Sequence, residues 1–275
     1  MRIGVSNLLW TRDHDEPVAD LLNRRGIDAI DLVPTRYVDD VTTTRTAQLH
    51  GIRRFWAARG IEIVGMQSLL YATRGLDIFG DAGTRRRTAA HLEAVLRFGA
   101  EVGARQMVFG SWRNRRRGNL AADAALESAA AFFGEVAQVA ARLGVILTIE
   151  PISARYGNDF LRDHDEAAEL VQRVGHAAFR LTLDVGCIGL AGEDPAAVVQ
   201  RHGHLVSHVQ LAEFELAPLR AENPLHPAAG AALMAALPGR VACIEALQPP
   251  ALQPPELSAV NAVAQCLDVA QRHYR

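Results

Sequence analysis

Short apolar runs alternate with longer amphipathic runs from one end of this 275-residue chain to the other, and that alternation restricts the fold more than any other feature. Strand-like runs fall at 2–6, 28–32, 61–68, 106–109, 145–150, 179–184, 206–210 and 241–245. Helix-like runs lie between them, at 17–25, 44–58, 84–102, 121–143, 163–174, 195–202 and 227–236, with a last one at 255–273. Eight such βα units with short connections predict a parallel sheet covered by helices on both faces. Strict alternation through eight strands fits a closed (β/α)8 barrel better than an open doubly wound sheet, whose usual strand orders stop at about five or six. The length agrees, since such a barrel needs about 250 residues. No linker, low-complexity tract or charge block divides the chain, so the expectation is an α/β barrel occupying 1–275 as a single domain.

Several boundaries have a local cause. Pro17 suits the first position of a helix, where its missing N–H has no partner to lose. Asp194 before Pro195 places a capping carboxylate ahead of a proline at the first helical position. Gly60, Gly103 and Gly144 each stand just past a helical run, where a left-handed cap is needed. Two loops, 71–83 and 110–120, are unusually long or polar and follow strands. They therefore belong at the carboxyl end of the barrel, where such folds build their sites.

Composition narrows the class of partner. Hydrophobic residues make up 49% and charged residues 22%, the balance of a globular protein with a sizeable core. The net charge of −2 is interspersed, which gives no reason to expect nucleic acid or an anionic membrane. No apolar run reaches the roughly 18–20 residues of a membrane span. The three cysteines, Cys187, Cys243 and Cys266, show no CxxC spacing, so neither a disulfide framework nor a thiolate zinc site is expected. A reducing cytoplasm is the default compartment.

The chemistry sits at strand ends. Apolar runs in the fifth to eighth strands finish in Glu150, Asp184, Gln210 and Glu245. A carboxylate at the end of a buried strand is costly unless it is paired or coordinated. Three of them with an amide, converging on one mouth, would repel one another, and a divalent cation removes the repulsion. An all-oxygen shell favours Mg²⁺ or Mn²⁺ over metals that prefer imidazole or thiolate, with Co²⁺ or Zn²⁺ as alternatives.

The motifs TIEP (148–151), LDVG (183–186), HVQLAE (208–213) and IEAL (244–247) resemble those of the sugar phosphate isomerase/epimerase superfamily, built on xylose isomerase-like TIM barrels. They are nearest in pattern to hydroxypyruvate isomerase and the ketose 3-epimerases. The resemblance extends to GVSNLLW (4–10) and VFGSWRNR (108–115). It implies metal ligands Glu150, Asp184, Gln210 and Glu245, and a small polyhydroxy or hydroxy-keto substrate isomerised or epimerised through an enediolate. Glu150 and Glu245, from strands on either side of the metal, are then the acid/base pair as well as ligands. An inosose-type dehydratase using the same site is the alternative activity, and a catalytically silent ligand-binding barrel is the alternative class. The family habit also implies helix-face homodimers.

Two positions depart from the superfamily pattern. Gln210 stands where the epimerases commonly have a metal-binding histidine. Cys187 stands where many relatives have a substrate-touching histidine, which makes it the corresponding substrate-contact position. Arg220 matches the arginine that meets a substrate hydroxyl or phosphate in ketose epimerases, with a solvated loop arginine as the alternative. His208 shares a strand face with Gln210 by period-two alternation, so it points into the barrel and either contacts substrate or fills the interior. Glu213 and His226 follow the seventh strand and are further candidates for the substrate side. Arg113, Asn114 and Arg115 offer a contact for an anionic substrate group as one reading, but the run 113–117 reads first as a solvated loop; Trp10 and Phe109 read as core ahead of an apolar wall of the site.

Overall fold

The computed structural model describes residues 1–248 and 255–275. Eight strands close into a parallel barrel in chain order: β1 (Arg2–Ser6), β2 (Ala29–Leu32), β3 (Glu62–Met66), β4 (Gln106–Phe109), β5 (Ile146–Ile149), β6 (Phe179–Asp184), β7 (Val206–Leu211) and β8 (Val241–Ile244). The register of β8 on β1, with Arg2 opposite Val241 and Val5 opposite Ile244, completes the ring. Around it run α1 (Asp15–Arg24), α2 (Thr46–Ala57), α3 (Ala82–Val102), α4 (Ala122–Arg142), α5 (His164–Val174), α6 (Val185–Ala191), α7 (Pro195–His202), α8 (Leu225–Ala236) and α9 (Pro255–His273). The closed (β/α)8 barrel expected from the alternation is the fold. Among the described residues no helix is long and apolar enough to cross a membrane.

Local chemistry accounts for most boundaries. Asp194 caps α7, accepting from the N–H groups of Ala196 and Ala197. Gly60, Gly103 and Gly144 have φ of +71°, +94° and +69°, a left-handed conformation that costs a residue without Cβ nothing. Pro17 differs from expectation: α1 begins at Asp15, so the proline is its third residue. Pro227 is likewise third in α8. Neither breaks its helix, because the first four N–H groups of a helix have no partner within it. The stretch after β6 also differs, since it folds at once into the short α6.

Helices α1 and α2 are fastened to the barrel by a buried polar chain as well as by apolar packing. Trp10 Nε1 donates to Asp15 Oδ1 at 2.8 Å, the Tyr37 hydroxyl donates to Asp15 Oδ2 at 2.9 Å, and Trp56 Nε1 donates to the Tyr37 oxygen at 3.1 Å. Trp10 is fully buried with its ring 6.3 Å from that of Trp56, and Phe109 is 5.2 Å from Phe133, so both are core as expected.

Two register shifts matter for the site. One lies between Ile30 and Asp31 in the β2–β3 pairing, the other between Leu181 and Thr182 in the β6–β7 pairing. Such irregularities re-aim the residues that follow them. Beyond the second shift Asp184 lies directly opposite Gln210.

Candidate functional site

The carboxyl ends of the strands surround a cavity of about 460 Å³, within the roughly 300–1,000 Å³ span of small-molecule sites. Glu150, Asp184 and Glu245 lie in its floor, and all three are buried. An oxygen of Glu150, an oxygen of Asp184 and Cys187 Sγ lie within 4.8 Å of one another. Burial raises the Glu150 carboxyl to about 8, with the Asp184 charge adding to the effect and Arg115 opposing it. Glu245 is raised well above the usual carboxylate range by burial, then by the charges of Glu150 and Asp184. Asp184 is raised by burial and held back by the N–H groups it accepts from. The floor is a place where negative charge is expensive and mutually repulsive.

Three neighbours fix these acids. Asp184, the last residue of β6, caps α6, its Oδ1 accepting from Cys187 N in the first turn of the helix. Gln67, just past β3, donates from Nε2 to Glu245 Oε1 at 2.6 Å. With its Nε2 donating here, the Gln67 amide turns its Oε1 the other way. Its Oε1 then receives Gln210 Nε2 at 3.5 Å, which leaves Gln210 Oε1 turned elsewhere. Glu150 has its carboxylate against Gly110: a Cβ there would stand 2.1 Å from Oε2.

Arg115 corrects the reading of 113–117 as a solvated loop. It is wholly buried, donating to the carbonyls of Glu150 at 2.7 Å and Phe109 at 3.4 Å. Burial lowers it to about 10, with the Glu150 charge pulling the other way. It supplies one positive charge beside three acids; were all three ionised, two negative charges would remain, the number a divalent cation cancels. Two buried oxygens, Asp184 Oδ2 and Gln210 Oε1, have no hydrogen-bond partner among the described residues. They belong to the residues paired across β6 and β7. Unpartnered buried acceptors are rare and each needs a reason. The donor set of carboxylate and amide oxygens fits a hard divalent cation.

The other expected site residues fall in different places. Cys187 lines the cavity, but its thiol donates to the Pro151 carbonyl at 2.9 Å. Burial and the neighbouring carboxylates push that thiol well above its usual range, which removes the thiolate a nucleophile needs. Glu213 lines the cavity wall and holds Arg220, whose Nε reaches its Oε2 at 2.8 Å. The Arg220 side chain is otherwise largely exposed and is not part of the lining. His226 is buried between Glu213 Oε1 at 3.2 Å and the Tyr274 hydroxyl at 2.8 Å. His208 points into the barrel as alternation requires, but beneath the cavity, with Nε2 2.7 Å from Asp31 Oδ2. Asp31 in turn is admitted only because its register partner is Gly65, where a Cβ would stand 2.4 Å from Oδ1.

Sequence reasoning missed Gln67, Arg115, Gly110 and Asp31. Gln67 follows the rule that found the others, a polar side chain closing an apolar strand, in a run drawn one residue too far. Backbone strain marks the same place. Ser68, Glu215 and Leu216 have φ of 57°, 56° and 54° without being glycine, and all three line the cavity. Residues held in such regions cluster at functional sites.

Fold and site together define a closed (β/α)8 barrel with an acidic, cation-competent floor at its carboxyl-end mouth. The family of xylose isomerase-like TIM barrels matches residues 19–233, and the chain belongs to that family. Among solved structures, D-psicose 3-epimerase from Clostridium cellulolyticum H10, determined with D-tagatose, superposes with a TM-score of 0.82 at 14% identity over 100% of both chains. The 3-keto-D-glucoside 4-epimerase YcjR from E. coli gives 0.77 at 16% identity, over 97% of this chain and 98% of that one. The IolI protein with a bound zinc atom gives 0.73 at 14% identity over 99% of each. At these identities the likeness establishes the fold. A sequence search of curated proteins finds no match.

Proposed function

We propose that this chain is a divalent-metal-dependent isomerase or epimerase of a small polyhydroxy or hydroxy-keto compound. The observation that carries the reading is the pair of buried, unpartnered oxygens, Asp184 Oδ2 and Gln210 Oε1: Asp184 lines the cavity with Glu150 and Glu245, and Gln210 is its register partner on β7, fully buried and outside the lining. Glu150, Asp184, Gln210 and Glu245 would hold the cation. When bound it would supply Lewis-acid polarisation of a carbonyl and its neighbouring hydroxyl, a contribution of several kcal/mol. The sugar epimerases among the structural neighbours and the zinc in IolI support the same reading.

The chain's own residues do the proton work. Glu150 and Glu245 come from β5 and β8 and enter the floor from different sides. One takes the proton from the carbon beside the carbonyl, and the other delivers a proton to the opposite face or the adjacent carbon. General acid–base catalysis of this kind contributes about 10²–10⁴-fold. Gln67 holds Glu245 in place, and Arg115 steadies the backbone on which Glu150 stands. Manganese or magnesium is the metal the oxygen set favours.

Elemental analysis of purified protein should find about one divalent metal per chain. Incubation with ketoses and hydroxy-ketones in D₂O should place solvent deuterium on carbon, without loss of water. Exchange that continues undiminished in Glu150→Gln would overturn the acid/base assignment.

A further inference from the structure

The cavity above the acidic floor is divided by chemistry. The most deeply buried polar groups suited to hold a hydroxyl-rich fragment are Glu150, Asp184, Glu245 and Gln67. The rest of the lining is largely apolar and aromatic, with Tyr71, Trp112, Ile152, Tyr156, Leu190 and Leu216, interrupted by the hydroxyls of Ser68, Ser111 and the two tyrosines. Tyr156 is backed by Phe214, with ring centroids 6.0 Å apart and planes 29° from parallel. Among the described residues the large hydrophobics most open to solvent include Tyr71, Phe214 and Leu247, all at this mouth. Their clustering matters, because single exposed apolar residues are ordinary and contiguous ones mark binding surfaces.

The charge of the wall is equally one-sided. Among the described residues no lysine, arginine or histidine lines the cavity, while Glu213 and Glu215 do. Arg115 donates to backbone carbonyls beneath the floor, and Arg220 is bound to Glu213. Arg113 and Arg116 lie over the Trp112 ring at 5.2 and 5.8 Å without joining the lining. Residues 249–254, PPALQP, carry no charge in sequence. A phosphate or carboxylate on the outer end of the substrate would meet no cation among the described lining residues and two acids. A fully hydroxylated outer end would find few partners along Trp112, Ile152, Leu190 and Leu216 and would leave that apolar surface uncovered.

Resting on the reading of the floor given above, we infer that the substrate is uncharged and two-part: a polyhydroxy or keto-sugar ring directed at the acids, bearing an apolar, preferably aromatic, substituent against Trp112, Tyr156 and the leucines. A glycoside or comparable conjugate has this form. A sugar phosphate and a small hydroxy acid do not, and the latter would leave most of the volume empty.

The test uses the Mn²⁺-loaded protein and three probes, phenyl β-D-glucopyranoside, methyl β-D-glucopyranoside and glucose 6-phosphate, with binding read by calorimetry and by ligand-observed NMR. The phenyl glycoside should bind at least about tenfold tighter than the methyl glycoside, as burial of one aromatic ring warrants. Glucose 6-phosphate should bind more weakly than either. Trp112→Ala should abolish the phenyl preference while leaving metal content unchanged. Equal affinity for phenyl and methyl, tighter binding of the phosphate, no binding of either glycoside, or a phenyl preference that survives Trp112→Ala each overturns the inference. Metal content measured on the same preparations separates the two readings. Metal-loaded protein without the phenyl preference refutes the substrate class alone, whereas protein that takes up no metal refutes the reading beneath it.

Discussion

Replacing Gly110 by alanine separates the role of Glu150 from its contribution to the fold. The new Cβ would stand 2.1 Å from Glu150 Oε2, while ordinary van der Waals contact begins near 3.4 Å. The oxygen must therefore retreat by about 1.3 Å. Gly110 is not among the residues with positive φ, so alanine meets no backbone strain there. The colliding atom is the end of a flexible side chain, and the loss in stability should stay below about 1 kcal/mol, offset in part by the reduced freedom of the unfolded chain. A metal ligand tolerates far less, since coordination distances hold within about 0.2 Å. Affinity for Mn²⁺ should fall by about 10–100-fold, the range seen when the setting of a ligand is disturbed. Competition with a chromogenic chelator measures the affinity, and thermal unfolding of the metal-free protein measures the stability. Wild-type Mn²⁺ affinity in Gly110→Ala would remove Glu150 from the ligand set. A large loss of stability with unchanged affinity would make Gly110 a packing glycine and nothing more.

Two further perturbations address buried charge directly. Arg115→Met should destabilise the protein by about 3–5 kcal/mol in urea unfolding, because the floor carboxylates lose their one buried counter-charge and two carbonyls lose a donor; a loss under about 1 kcal/mol would show that the guanidinium balances nothing. Asp15 is raised from 3.8 to about 6, chiefly by burial, so the folded state holds its proton more tightly than the unfolded one and the stability it contributes is present below pH 3.8 and lost by about pH 6. The stability of wild type relative to Asp15→Asn should therefore fall by about 2 kcal/mol between pH 4 and 6.5, and a difference that stays level across that range refutes the assignment.

How much of this was legible beforehand depended on how local the cause was. Strand and helix positions follow from hydrophobic period, which each segment carries in its own residues, and the eight strands stand where the pattern put them to within two residues at each end. Asp184 and Glu150 were legible for a related reason: the end of a buried strand in a barrel of this kind opens on the mouth whatever its neighbours are. Arg115 was not legible. It sits in a run of arginines typical of a solvated loop, and only the packing of the β4–α4 connection over the Glu150 backbone places it in the interior while its neighbours Arg113 and Arg116 lie by Trp112.

The sequence by itself determined the barrel, the end of it that carries the site, and the run of oxygen-bearing residues closing the last four strands. Tertiary structure decided which of those oxygens are left without a partner and what surrounds them. Gln67 meets Glu245 across 178 positions and His208 meets Asp31 across 177, pairings that exist only because the ring closes. Periodicity tells a side chain which face to take, but the identity of the group it meets there depends on barrel closure, on two register shifts and on glycines that leave room. Those are properties of the assembled chain and of no segment within it.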